Sequence, residues 1–219
     1  MAKLLPVKTV GTRRYQVLEA SPTEIATQYV ANSLIKSGYQ GVNGSFFNTV
    51  TQALAMHYTR GQTKNHTVNH EKNSWTFYIS DDERYYGGNL RIACTSALNL
   101  TELENKVGKV LFAIGGKDLF GESPRYSGGT IWSTSAFRTL VARGSDDKGN
   151  AVIHFIQPLQ TVTMATIKED LNSLGYDPYS TINIDGGGTT QMVFGNYKFL
   201  PKPESDGSAR PMPYLIKIK

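Results

Sequence analysis

An aspartate, three glycines and two threonines stand in a row as Asp185-Gly186-Gly187-Gly188-Thr189-Thr190, just after the apolar run Thr181–Ile184. Glycines at a strand end release the backbone from steric limits. Successive N–H groups can then converge on an anion such as phosphate. Asp185 would stand at the mouth of that loop, with the hydroxyls of Thr189 and Thr190 as further donors. The plainer alternative is a glycine-rich turn with a solvated aspartate, and spacing alone leaves both open. The segment is not a P-loop, because no Lys-Ser/Thr pair follows the glycines. It also lacks the G-x-G-x-x-G spacing of a dinucleotide fingerprint.

A second segment, Gly41-Val42-Asn43-Gly44-Ser45-Phe46-Phe47-Asn48, puts an amide beside two aromatic rings. Sugars suit such a pairing, since their C–H faces pack on rings while amides bind hydroxyls. The competing account is an Asn-Gly turn followed by core phenylalanines. Other combinations are weaker. His66 and His70 have the spacing of two metal ligands on a helix, but their Asn-, Thr- and Lys-rich surroundings make a poor amphipathic helix and offer no third ligand. Cys94 lies in an apolar strand with no obvious histidine partner, which fits a core thiol.

The elements that must position these residues are mostly strands. Residues 8–19 begin with strand character, and 40–47 return to it. Ser21-Pro22-Thr23-Glu24 reads as a helix start, with Ile25, Tyr29, Val30, Leu34 and Ile35 at helical spacing and Gly38 as the stop. Residues 57–74 are polar and read as a surface loop or hairpin excursion. Trp75–Ile79 and Leu90–Thr95 predict strands, with the turn-rich Asp81-Asp82-Glu83 and Gly87-Gly88 between them. Thr101-Glu102-Leu103-Glu104 has capping-box form and predicts a short helix. Val110–Ile114 is short and bounded by Gly115-Gly116, which favours a buried strand. Phe137–Ala142 and Ala151–Ile156 flank a polar turn and predict a hairpin. Thr163 can cap a helix carrying Met164, Ile167, Leu171 and Leu174, with Gly175 ending it. Met192–Phe194 and Tyr214–Ile218 predict the last strands, separated by an irregular stretch with Pro201, Pro203, Gly207, Pro211 and Pro213. The expected fold is α+β: one domain over residues 1–219, with a mixed, largely antiparallel sheet core and about three packed helices.

Taken in order, the two glycine motifs resemble the opening and closing motifs of the phosphodiester glycosidase family. That family has an Asn-Gly-Gly-Phe-Phe-like segment early, an Arg-Thr strand, a hairpin, a helix ending in Leu-Gly, and an Asp-Gly-Gly-Gly-Ser-like segment late. Phe137-Arg138-Thr139 resembles the Arg-Thr strand, Thr163–Gly175 the helix, and Ala113-Ile114-Gly115-Gly116 another glycine-bearing family segment. Arg210 falls where the family has an arginine before its last strand. The resemblance spans about residues 40–219. Ser45 stands where glycine is usual, and Thr189-Thr190 replace two serines. The 57–74 excursion does not align, which leaves any substrate contacts there undefined.

The resemblance implies a hydrolase that cleaves the sugar C1–O–phosphate bond of a glycosyl phosphodiester. A phosphate ester leaves as a weak base, so general-acid help matters less and charge stabilisation of the phosphate matters more. The implied catalytic residues are Asp185 as carboxylate, Arg138 as phosphate clamp and Asn43 orienting the sugar. The implied binding residues are Gly44, Phe46, Phe47, Gly115, Gly116, Gly186, Gly187, Gly188, Thr189, Thr190 and Arg210. Asp118 and Glu122 are candidates for a second carboxylate, without a motif behind them. No cofactor is predicted. A divalent cation could sit near the glycines, but no ligand pattern demands one. The alternative function is a binding protein that sequesters a sugar phosphate or nucleotide-derived ligand in the same pocket.

Composition narrows the partners. The chain has 219 residues, 39% hydrophobic and 19% charged, which excludes a disordered tail protein or a collagen-like chain. With 23 Lys plus Arg against 18 Asp plus Glu, the net charge is +5. No basic run interleaves with the aromatics, so nucleic acid is an unlikely partner. The sole cysteine rules out an intramolecular disulfide. Pro6 and Lys8 end the first apolar run, and no stretch has the ~18 apolar residues of a membrane span. As it stands the chain is expected to be cytoplasmic, with no membrane partner and an unassigned oligomeric state.

Overall fold

The computed structural model describes residues 1–70, 75–81, 90–119, 130–201 and 209–219. Glu122, Asp82, Glu83, Gly87, Gly88, Pro203 and Gly207 lie outside the described residues. The first third of the chain forms β1 (Lys3–Leu4), β2 (Lys8–Val10), β3 (Arg13–Ala20), β4 (Ile25–Asn32), α1 (Leu34–Ser37), β5 (Gly41–Asn43), β6 (Phe47–Thr49), β7 (Gln52–Ala53) and β8 (His57–Thr59). The middle adds β9 (Trp75–Asp81), β10 (Leu90–Ser96), α2 (Leu100–Val107), β11 (Lys109–Gly116), α3 (Thr130–Ser133), β12 (Leu140–Ser145) and β13 (Ala151–Pro158). The last third contributes α4 (Met164–Leu174), β14 (Thr181–Asn183), β15 (Met192–Phe194), β16 (Tyr197–Phe199) and β17 (Met212–Ile218).

Among the described residues three larger sheets share one core, and β6-β7 form a separate two-stranded sheet. The first runs β1-β3-β13-β12-β14 with β2 also on β3, the second β10-β9-β11-β8, and the third β16-β15-β5-β17-β4. Every ladder between these strands is antiparallel. The architecture is thus the expected α+β type. Side chains alternate across each strand. One face of the first sheet sends Leu18, Val141, Phe155 and Ile182 inward, where they meet Phe77 and Ile114 of the second sheet and Val42 and Ile216 of the third. Its other face sends Tyr15, Val17, Leu140 and Ile156 against Met164, Ile167 and Leu171 of α4. Both faces are covered, so these strands read as nearly continuous apolar runs.

The helix expected from Ser21 onward is largely absent. Residues 25–32 form β4, paired with β17 from Ile25↔Ile218 to Tyr29↔Tyr214. Half of the capping box forms, but it closes a turn between strands. The Ser21 N–H donates to a Glu24 carboxylate oxygen at 2.9 Å, and the Glu24 N–H donates to the Ser21 carbonyl at 3.0 Å. Ile25, Thr27, Tyr29 and Val30 suit a pleated surface, and the free edge of β17 decides their conformation. Only α1 remains helical, capped by Ser33 and stopped at Gly38 with φ 74°. The predicted cap Thr101 also lies one residue inside α2, whose N-cap is Asn99.

The described part of 57–74 is not a purely surface excursion. It opens with β8, and His57, Thr59 and Asn69 are buried. Their polar atoms are bonded internally. Asn69 accepts from the Met56 N–H at 2.7 Å and donates to the Ala97 carbonyl at 2.8 Å. Polarity therefore misled as a sign of exposure here. β16 went unforeseen, being only three residues long.

One buried charge fastens α4 to the first sheet. Asp170, buried on the helix, accepts from Arg13 Nε at 2.6 Å and from the Tyr15 hydroxyl. Burial opposes ionisation of Asp170, but the hydrogen bonds from Arg13 and Tyr15 outweigh it and hold the carboxyl below its usual value. Asp170→Ala is expected to cost about 2 kcal/mol, discounted because Arg13 is partly exposed and rehydrates. Chemical denaturation at pH 7 measures this. Because the folded carboxyl is depressed, its contribution is present above the unfolded value and lost as pH falls through the folded one.

Candidate active site

The site begins with a buried amide. Asn43 ends β5, is 0% exposed, and lies between β15 and β17. Its Oδ1 accepts from the Thr139 hydroxyl at 2.6 Å and the Gln191 N–H at 3.1 Å, with Gln157 Nε2 at 3.5 Å. Its Nδ2 donates to the carbonyls of Gly44 at 2.9 Å and Asp185 at 3.1 Å. The amide is fully engaged, so in this structure it sets backbone positions and offers nothing to the cavity. Gln157 and Gln191 extend the network. Gln157 Nε2 reaches Thr139 and the Gln191 carbonyl, each at 2.9 Å, and Gln191 Nε2 reaches the Arg210 carbonyl at 3.0 Å.

The glycine loop follows β14 and bends through a 3-10 turn at Gly187–Thr189. Gly187 has φ 67°, a conformation that favours glycine. Its N–H donates to the Phe137 carbonyl at 2.8 Å. A Cβ on Gly186 would lie 2.5 Å from that same oxygen, so a side chain is excluded there. The expected N–H cradle is mostly spent internally. The Gly186 N–H bonds Asp185 Oδ1 at 2.8 Å, and those of Thr189 and Thr190 close the turn at 3.4 Å. The Thr189 hydroxyl sits 2.7 Å from Asp185 Oδ2 and 2.6 Å from the Gly186 carbonyl. Thr190 is fully buried.

Two arginine stems pass within van der Waals range of the loop. A Cβ on Gly186 would lie 3.4 Å from Arg138 Cδ, and one on Gly188 would lie 4.0 Å from Arg210 Cδ. Arg138 is buried and donates to the Thr134 carbonyl at 2.9 Å. Burial pushes its guanidinium down, and the charge of Asp185 pulls it back up. Burial raises the Asp185 carboxyl, while Thr189, the Gly186 N–H, Arg210 and Arg138 restrain the rise. Asp185, Arg138, Gly186, Gly187 and Phe46 line a cavity of about 260 Å³ together with Thr134 and Ala136. Exposed Arg210 lies over the Phe47 ring at 5.3 Å.

Some expected residues serve differently. Gly44 is a packing position, since a Cβ would lie 2.4 Å from the Tyr214 carbonyl oxygen. Gly115 and Gly116 are buried in β11 and do not line this cavity. They admit Asn69 and the Asn183 carbonyl, which would lie 1.8 and 2.6 Å from added Cβ atoms. His66 and His70 are not on a helix. Asp118 is half-buried just beyond β11 and does not line the cavity. Sequence reasoning missed His57, Gln157, Gln191 and Lys117. Lys117 sits 5.3 Å from the centre of the Phe46 ring. Only its place directly after Gly115-Gly116 marked it.

Residues 38–219 match the phosphodiester glycosidase family, and the chain belongs to it. The catalytic domain of zebrafish N-acetylglucosamine-1-phosphodiester alpha-N-acetylglucosaminidase, auto-inhibited by its pro-peptide, is similar in fold, with a TM-score of 0.59 at 12% identity. That alignment covers 100% of this chain and 82% of the zebrafish one. A hypothetical protein from Synechocystis has a TM-score of 0.52 at 12% identity, covering 98% of this chain and 61% of that one. No curated protein matches the chain. Residues before 38 are outside the family match, yet they supply β3 and β4 to two of the sheets.

His57 supports the Asn43 turn from below. Its Nε2 accepts from the Ser45 N–H at 2.8 Å, its Nδ1 donates to the Ala55 carbonyl at 2.8 Å, and its ring stacks on Tyr214 at 4.7 Å. Burial lowers its pKa to about 3, with the Ala55 bond opposing. Between the unfolded value and about 3, unfolding therefore takes up a proton. Stability present above pH ~6.5 should fall by about 2 kcal/mol by pH 5 from this group alone. Denaturant titrations across that range measure the slope, which should be shallower by about one proton in His57→Gln.

Proposed function

We propose that the protein hydrolyses the C1–O bond of a glycosyl phosphodiester, with Asp185 as the catalytic carboxylate. The observation that carries this reading is the position of Asp185 on the cavity wall, with Arg138 and Arg210 both against its glycine loop. The guanidinium groups hold the phosphate by charge-assisted hydrogen bonds and stabilise the negative charge that collects on the leaving oxygen. Asp185 faces the sugar carbon, where positive charge develops. It acts there as nucleophile or as base for water. Water supplies the new C1–O bond, the old C1–O bond breaks with its electron pair on the phosphate oxygen, and the products are free sugar and a phosphate ester. Phe46 gives the sugar a ring to lie on.

Asn43 enters this mechanism as a positioning residue, because its amide is committed to the Asp185 carbonyl and to Thr139. Thr189 tunes the carboxylate by donating to it. Gly186 and Gly187 set the loop shape, and Arg210, beside Gly188, is a second cation offered to the phosphate.

Asp185→Asn should lower sugar release at least 10³-fold while leaving the thermal melt near wild type, the scale expected for losing a group that acts only in the transition state. The assay follows free sugar by mass spectrometry over a panel of sugar-1-phosphodiesters and nucleotide-sugar conjugates. Near-normal turnover by the variant would remove Asp185 from the mechanism. Recovery of intact ligand with the wild-type protein would assign sequestration. Asp185 works ionised and its carboxyl is raised, so activity should fall with acid through a pKa above the ordinary aspartate value.

A further inference from the structure

Phe46 brings an aromatic ring to the cavity wall. The turn that delivers it is anchored residue by residue. The Asn43 N–H donates to the Gln191 carbonyl at 3.1 Å, the Gly44 N–H to the Tyr214 carbonyl at 3.2 Å, and the Leu54 N–H to the Phe46 carbonyl at 2.8 Å. Between them, the Ser45 N–H donates to His57 Nε2 at 2.8 Å. The other anchors are backbone pairs, whereas this one is an imidazole. The Ser45 hydroxyl adds no anchor, being buried without a partner.

The imidazole is a fixed point. His57 is in register with Ile114 on β11, and its backbone exchanges hydrogen bonds with His66 at 2.8 and 2.9 Å. Nδ1–H donates to the Ala55 carbonyl at 2.8 Å, which leaves the Nε2 lone pair for Ser45. Gly44 lets the ring come this close, because a Cβ there would lie 2.8 Å from Nε2. Tyr214, whose carbonyl accepts from Gly44, also stacks on the ring at 4.7 Å. Burial lowers the pKa of His57 to about 3, so the ring stays a neutral acceptor near pH 7. The rest of the cavity wall has other supports. Asn43, the Gly186 N–H and Thr189 hold Asp185, and Arg138 reaches the Thr134 carbonyl. His57 makes none of those contacts.

We propose that His57 is a positioning residue for Phe46 and, through that ring, sets recognition of the sugar independently of the hold on the phosphate. The inference rests on the reading that the cavity takes a glycosyl phosphate and that Phe46 meets its sugar. It assigns the two halves of that ligand to separate supports.

His57→Phe tests it, since the variant keeps a ring against Tyr214 and removes the acceptor. Its crystal structure should show Phe46 displaced from the cavity wall, with Asp185 and Arg138 in place. Calorimetric titration of the full chain with inorganic phosphate, glucose 1-phosphate and galactose 1-phosphate, and with the 2-acetamido forms of both sugars, gives the second readout. Wild type should bind at least one sugar phosphate about tenfold more tightly than phosphate. His57→Phe should lose about tenfold in that sugar-phosphate affinity, the scale of one hydrogen bond left unmade, and about twofold or less for phosphate. His57→Gln, whose amide oxygen can accept from Ser45, should recover most of the loss. All titrations run below the melt of each variant, and His57→Leu is the acceptor-free substitute where His57→Phe does not fold. Phe46 unmoved in the acceptor-free variant, or equal losses for phosphate and sugar phosphate, would overturn the proposal. A wild type that gains nothing from the sugar would remove the underlying reading of the cavity, and the variant structure would still decide whether His57 places Phe46.

Discussion

A single buried amide constrains more of this molecule than its size suggests. Asn43 joins β5, the Thr139 hydroxyl just before β12, the Gln191 backbone just before β15, and the carbonyl of Asp185. These belong to two of the three larger sheets and to the loop between them. A buried polar network is costly when half-satisfied and rigid when complete. Here the amide is fully bonded, so the Asp185 backbone is held by a fixed donor. Replacing Asn43 by an apolar residue would strand the Asp185 carbonyl, the Thr139 hydroxyl and the Gln191 N–H together. The sheets meet where they do because those groups have one shared partner.

That constraint changes what the glycines are for. A run of three suggests an open cradle of N–H groups, as in other phosphate-binding loops. In this chain the loop spends most of those donors on itself, on Asp185 and on Phe137. The absent side chains instead make room. Phe137's carbonyl comes within 2.5 Å of where a Gly186 Cβ would be, and the stems of Arg138 and Arg210 lie against the loop. Charge for an anion then comes from the arginine side chains beside the loop.

The main strands and α4 were legible because their signals are local: apolar runs bounded by glycine, a threonine cap and a glycine stop. The site motifs were legible as an ordered set, and the structure does bring Asp185, Arg138 and Phe46 to one cavity. Two kinds of feature were hidden. Ser21–Gly38 carries helix punctuation and helical spacing, yet pairing with β17 converts most of it to strand. No local signal reports a partner almost 190 residues away. The polar interior was hidden as well. His57, Asn69, Gln157 and Gln191 are chemically surface-like residues, and only the folded backbone shows that each meets buried donors or acceptors. Gly115 and Gly116 failed for the same reason, because a close approach from Asn69 or Asn183 leaves no mark on neighbouring sequence.

The positive balance of the chain takes on a local meaning in this light. Two arginines beside one carboxylate repel one another, and a buried arginine loses hydration, as the lowered Arg138 shows. Something must hold them in range of the cavity. Asp185 does part of this, and its own raised carboxyl is the reciprocal cost of its burial. The rings of Phe46 and Phe47 do the rest. A cation over an aromatic face gains about 0.5–2 kcal/mol, growing as water is excluded. That helps to hold Arg210 over Phe47 and Lys117 over Phe46. The adjacent phenylalanines thus have a second use beyond the sugar platform that their type suggests: they store charge at the rim. A surplus of five charges over 219 residues needs no polyanion to explain it, because a few placed cations with aromatic seats are a more economical use of it.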